Sequence, residues 1–191
     1  MSAQSSVFDN RQQNLIMAAA HWRLVSMLFE CPCEGWHASL ASLAAEASDP
    51  DLIAAAAAAQ SEASEGLYHS IFGPGGPASP REASYRSNLN LGGLLSELTA
   101  YYDAFGFQPT TQEPCDHISV EAGFLGYLRL KEAYARACTD QNSAEITAEG
   151  AMHFLQDHLA VLAERLSSTL GQSGIRYISI ASQVLKRMTG S

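Results

Sequence analysis

The chain has 191 residues, enough to bury a sizeable core, and its 47% hydrophobic and 16% charged residues exclude a disordered polymer. With 11 basic and 20 acidic residues the formal charge is -9, which disfavours nucleic acid and anionic membranes as partners and tolerates a basic one. No apolar run reaches the roughly 18–20 residues that span a bilayer, and the polar opening, residues 1–10, lacks a basic stretch followed by an apolar one; the expectation is a cytoplasmic protein without stable membrane association.

The pattern is helical nearly throughout. Asp9 can cap a first helix, with Gln12 three residues on as in a capping box, and Leu15, Ala18, Trp22, Val25 and Phe29 recur at helical steps until Pro32. A short helix is predicted over 36–47. Asp49-Pro50 is a start signal, and the alanines from Ala54 to Ala59 have the best helix propensity and let a neighbour come close. Three glycines and three prolines between Gly73 and Pro80 make a stiff loop. A helix over 90–105 stops at Gly106. Pro114 is read as opening a long helix over 114–138, Asp140 to Ser143 as a polar break, and 147–170 as the next helix. The last segment, 175–188, fits a helix, although Arg176 to Ile180 also alternates like a strand. The sum is one all-α domain over 1–191, a bundle of about six to eight helices.

The four cysteines, Cys31, Cys33, Cys115 and Cys138, lack zinc or redox spacing; no metal and no cofactor are expected. No hydrolase elbow, zinc helix, dinucleotide fingerprint or kinase motif occurs, which points away from an enzyme.

Three stretches concentrate polar and aromatic side chains. The first holds Tyr68, Ile71 and Phe72 on one helical face, then the Pro/Gly turn, Pro80 and Tyr85. These residues form either core or an apolar groove whose rim the turn fixes, and such grooves accept peptides. The second is Glu113-Pro114-Cys115-Asp116-His117-Ile118, followed by Glu121. At a helix start Asp116 meets unpaired N–H groups. His117 and Glu121, four apart, share a face, and pairing would favour a charged imidazolium. Asp116 and Glu121 could equally receive an arginine from a bound peptide, and the plain alternative is an ordinary surface pair. In the third, Phe154 to Leu159, the stripe Leu155, His158, Leu159, Leu162 and Leu166 puts His158 on the apolar side as a hydrogen-bonded core residue.

These stretches resemble the TorD/DmsD family of cytoplasmic redox enzyme maturation chaperones. Tyr68 to Tyr85 resembles the family's aromatic, glycine-proline loop with its Ser-Pro…Tyr element. Glu113-Pro114-x-Asp116-His117-Ile118-x-x-Glu121 is similar to its central motif, and Phe154-Leu155-x-x-His158-Leu159 to a late one. Ala122-Gly123 and Leu162 stand where many members carry larger residues. The resemblance implies a non-enzymatic chaperone that binds the N-terminal, often twin-arginine, signal region of one molybdopterin oxidoreductase catalytic subunit and holds the apo subunit for cofactor insertion. It assigns Asp116 and His117 to the peptide site, Glu113 and Pro114 to its shape, and Tyr68, Ile71, Phe72, Pro80 and Tyr85 to an apolar surface nearby; Glu121 joins Asp116 as a partner for guanidinium groups. The protein is expected as monomer or homodimer. The rival readings are a small helical enzyme or metal protein using His117, Glu121 and His158, and an assembly scaffold that contacts the mature client.

Overall fold

Local signals fix most of the helix starts. In the computed structural model, which describes residues 9–87 and 90–190, Gln12 N–H donates to Asp9 Oδ1 at 2.8 Å and Asp9 N–H to Gln12 Oε1 at 3.0 Å, so the capping box opens α1 (Asn10–Leu28). The first eight residues of the polar opening lie outside the described residues. Helix α2 (Trp36–Ala44) is shorter than the sequence pattern suggests; its Trp36 indole N–H donates to Met27 O at 3.2 Å and ties it to α1. Asp49 caps α3 (Pro50–Glu62) through the N–H groups of Asp51 and Leu52. Ser64 caps α4 (Glu65–Phe72). After a 3-10 turn at Glu82–Tyr85, Asn90 caps α5 (Leu91–Phe105), which closes on Gly106 at φ 70°.

The central helix is α6 (Ile118–Ala137). It starts four residues later than expected, because Pro114 to His117 form a turn in which His117 N–H donates to Pro114 O at 2.9 Å and His117 becomes the cap. The expected polar break is the start of α7 (Gln141–Phe154), with Ser143 N–H on Asp140 Oδ1 at 3.0 Å. A π-helical turn, Leu155–Leu159, joins α7 to α8 (Ala160–Leu170) without interruption. The last segment is helical, α9 (Arg176–Thr189). Counting the α7–α8 rod once, the described residues form eight helical rods and no strand, an all-α bundle.

Helix α6 lies against α1 on one side and α7 on another, while α9 packs on α3 and α8. Ala55, Ala56 and Ala59 of α3 are buried, and small residues let neighbouring helices come close. At Gly126 a Cβ would stand 3.1 Å from Ala19 O, so glycine lets α1 and α6 cross closely there. Ile118, Glu121, Leu125 and Leu128 all face inward, as the spacing predicts. Glu121 thus enters the core as a carboxyl group.

Candidate functional site

Gly76 folds the Pro/Gly turn onto the end of α4. A Cβ there would lie 2.2 Å from Ile71 O, an impossible contact, so the turn accepts only glycine at this position. The chain then runs back along the start of α6. Ile118 N–H donates to Pro80 O and Glu82 N–H to Asp116 O, both at 2.8 Å, and Arg81 and His117 pair as an isolated antiparallel bridge. Tyr85 Oη donates to Ser79 O at 2.7 Å and accepts Ser79 N–H at 3.2 Å. The first two stretches are therefore one structure.

Asp116 is fully enclosed and accepts Arg81 Nε at 2.9 Å and Nη2 at 2.7 Å. The sequence reading offered this carboxylate to a client's arginine; the chain's own Arg81 fills that role, because the bridge brings the guanidinium to it. Asp116 also sits before the helix rather than in its first turn.

His117 is 1% exposed. Its Nδ1 accepts Ser119 N–H at 3.2 Å and the Ser119 hydroxyl at 2.7 Å, which leaves the proton on Nε2, 2.9 Å from Tyr68 Oη. Glu113 Oε2 stands 3.8 Å from the same Nε2, and burial first, then the Glu113 charge, raise the Tyr68 pKa. Burial lowers the His117 pKa to about 4, against the pull of Asp116 and with the push of Arg81. The expected cationic His117 paired with Glu121 is corrected on both counts: desolvation favours neutral imidazole, and the neighbour that acts on Glu121 is the Glu82 carboxylate. Neither is a surface residue.

The third stretch joins the same cluster. The π turn carries His158, fully buried, with Nδ1 3.1 Å from Glu82 Oε2. The reading of His158 as a hydrogen-bonded core residue agrees with this placement. Glu82, also fully enclosed, accepts Arg86, whose guanidinium reaches on to Asp157 O. Glu121 is enclosed, and no N–H or O–H donor among the described residues meets either of its oxygens. Burial and the neighbouring charge of Glu82 raise its pKa well above the usual carboxylate range. Sequence reasoning missed Arg81, Glu82 and Arg86. The available signal was three charges crowded directly behind Pro80, with Glu82 and Arg86 at helical i,i+4 spacing.

The aromatic residues close over rather than line an open groove. Tyr68, Ile71 and Phe72 are buried, with ring centroids 5.1 Å apart for Tyr68 and Phe72 and 6.3 Å for Phe29 and Phe72. Pro80 is buried and Tyr85 half-buried. What reaches solvent is Pro74, Gly75 and Pro77 of the turn, Pro114, and part of Glu113. Exposed Glu65 and this Glu113 both raise the pKa of the half-buried Cys31 thiol, after burial itself. Hollows open beside this cluster and elsewhere on the surface. One of about 370 Å³ runs between α1, α2 and α6 past Ile16, Leu43, Tyr127 and Leu130, and one of about 90 Å³ is lined by Glu30, Thr111 and Ser119.

Among the described residues, no three or more His, Cys, Asp or Glu side chains are grouped to hold a metal ion, and no helix is long and apolar enough to cross a membrane. All four cysteines are unpaired. Residues 30–168, a span that contains all three stretches, match the family model described as nitrate reductase delta subunit. A comparison with curated proteins found no match.

Proposed function

Because the chain belongs to the nitrate reductase delta subunit family, a family of molybdoenzyme maturation chaperones, we propose that it is a dedicated, non-catalytic chaperone of the TorD/DmsD kind. In this reading it binds the N-terminal signal region of one catalytic subunit in the cytoplasm and holds that subunit, without its cofactor, for molybdopterin insertion and assembly. The observation that carries the proposal is the antiparallel bridge of Arg81 with His117, which welds the two motif stretches into one rigid face. On that face the exposed Pro/Gly turn, Pro114 and the carboxylates of Glu65 and Glu113 are available to a partner. Asp116, His117, Glu121, Tyr68, Ile71, Phe72, Pro80 and Tyr85 serve it as the floor that fixes its shape.

A basic, extended peptide suits such a face. Guanidinium groups meet Glu65 and Glu113, and apolar residues lie on the proline-rich turn at about 25 cal/mol per Å² removed from water. Ordering the peptide opposes this gain, so affinity is moderate and release is possible. Titration calorimetry tests the reading with a synthetic N-terminal peptide of a molybdoenzyme catalytic subunit from the same organism. Glu65→Ala with Glu113→Ala should weaken binding about tenfold while helix content is unchanged, and equal affinity removes this face from the proposal.

A second reading, a scaffold that grips the mature subunit, draws on the apolar hollow between α1, α2 and α6. Deleting the client's first residues separates the two, since only the scaffold would still bind.

A further inference from the structure

Glu121 is chemically incomplete as a carboxylate. It is fully enclosed, its two oxygens meet no donor, and the neighbour that acts on it most strongly is another enclosed carboxyl group, Glu82. Glu82 is well supplied, with Arg86 on one side and His158 Nδ1 at 3.1 Å on the other. Two ionised carboxylates in contact in a dry interior repel strongly. One proton between them converts the repulsion into a hydrogen bond. Since the cation sits on Glu82, Glu121 is the group that carries the proton.

We propose that Glu121 and Glu82 share one proton and that this pair is a latch, holding the 79–87 segment against α6 and the π turn while the proton is present and freeing it when the proton leaves. The segment suits such control because Glu82 is the buried residue of its 3-10 turn. Pro80 is buried and Ala83 and Tyr85 pack partly on the core, and the polar ties include main-chain bonds to Asp116 and Ile118, Ala83 N–H on Asp116 Oδ2, and the guanidinium contacts of Arg81 and Arg86.

The surroundings leave Glu121 as the uncompensated group. From the loop before α6, Asp116 faces the pair and is matched by Arg81; neighbouring Cys115 lies beside Asp116 and Tyr102, and His117 turns to Tyr68 and Ser119. From α5, burial first and then the charges of Glu121, Glu82 and Asp116 raise the Tyr102 pKa, Tyr101 meets His158 edge-on, and Glu97 stands 4.0 Å from His158 Nε2. The π turn adds Asp157, whose carbonyl takes Arg86, and α8 adds Arg165, on Tyr85 O. His158 faces Glu82 through Nδ1, 3.1 Å from Oε2. Burial first, then Glu82 and Asp116, raise the Glu121 pKa, with Arg86 opposing.

If the bridged face is the client site, as proposed above, the latch sets when that face is presented. The latch itself belongs to the free protein, and its test needs no client. The folded state favours the protonated carboxyl, so the stabilising contribution is complete below the ordinary glutamate value of 4.5 and is lost as pH rises through the raised value. In urea unfolding between pH 5 and 9, the folding equilibrium constant of the wild type should fall by up to about tenfold per pH unit relative to Glu121→Gln, whose amide N–H replaces the proton without titrating. The backbone amides of Glu82 and Ala83 should lose hydrogen-exchange protection over the same range in the wild type alone, after allowance for base catalysis. Parallel pH profiles for the two proteins, or protection independent of pH in the wild type, overturn the latch. Should Glu121→Gln fail to fold, the carboxyl carbon shift of Glu121 decides: titration in the ordinary glutamate range overturns the proposal, and a carboxyl still protonated at neutral pH supports it.

Discussion

Tyr68 and His117 stand 49 residues apart in the chain and meet at 2.9 Å, hydroxyl to Nε2, in the floor of the bridged face. The imidazole is held from its other side by Ser119, and Glu113 Oε2 stands 3.8 Å from Nε2 nearer the surface. A carboxylate that reaches solvent therefore lies against a buried neutral histidine.

Tyr68→Phe should remove the hydroxyl's bond to His117 while keeping the ring. Losing one buried hydrogen bond and leaving His117 Nε2–H without its acceptor costs about 1–2 kcal/mol. Urea denaturation gives the number, and Tyr68→Phe in a His117→Asn background should cost less, because the orphaned group is gone.

The His117 pKa is lowered to about 4 from 6.5, so its contribution to stability is fully present above 6.5 and is lost as pH falls through 4. The contribution is on the order of 3 kcal/mol. The wild type should weaken between pH 6.5 and 4 and His117→Asn should lack that part of the slope. A titration of the imidazole ring protons by NMR locates the midpoint directly.

Arg81→Ala should leave the Asp116 carboxylate enclosed without its cation. A fully buried broken pair costs about 3–5 kcal/mol. The Arg81 side chain is 38% exposed, and water screens the loss to about 1–3 kcal/mol. Adding Asp116→Asn should recover part of it in a double-mutant cycle, since the unpaired charge is then removed.

Gly76→Ala should force the Pro/Gly turn off the end of α4, because its Cβ would meet main-chain atoms of Ile71 that cannot rotate away. A loss of about 2 kcal/mol or more is expected in thermal or urea unfolding. Gly66→Ala, where nothing stands within 4 Å of the new Cβ, is the control and should be neutral or slightly stabilising.

Much of the architecture was legible because helices are local objects. Asp9 with Gln12, Asp49 with Pro50, Asn90 and Gly106 act on groups three or four residues away, and each stands at a helix end where the pattern placed it. The exceptions came from contacts across the chain. The start of α6 slipped past Pro114 because Asp116 O is taken by Glu82 N–H. The 147–170 helix began earlier and gained a π turn that presents His158 to Glu82, 76 residues away.

The sequence by itself determined the helical class, most of the caps, and which three stretches concentrate polar and aromatic side chains, since spacing and propensity depend on near neighbours. Only the tertiary structure decided what those side chains do. Return of the chain after Pro80 supplied Arg81 to Asp116, enclosure made His117 neutral, and the meeting of Glu82 with Glu121 left one carboxyl group without a donor. Partner and protonation state are set by distance and water exclusion between remote segments, and the linear order of residues encodes neither until the chain has closed on itself.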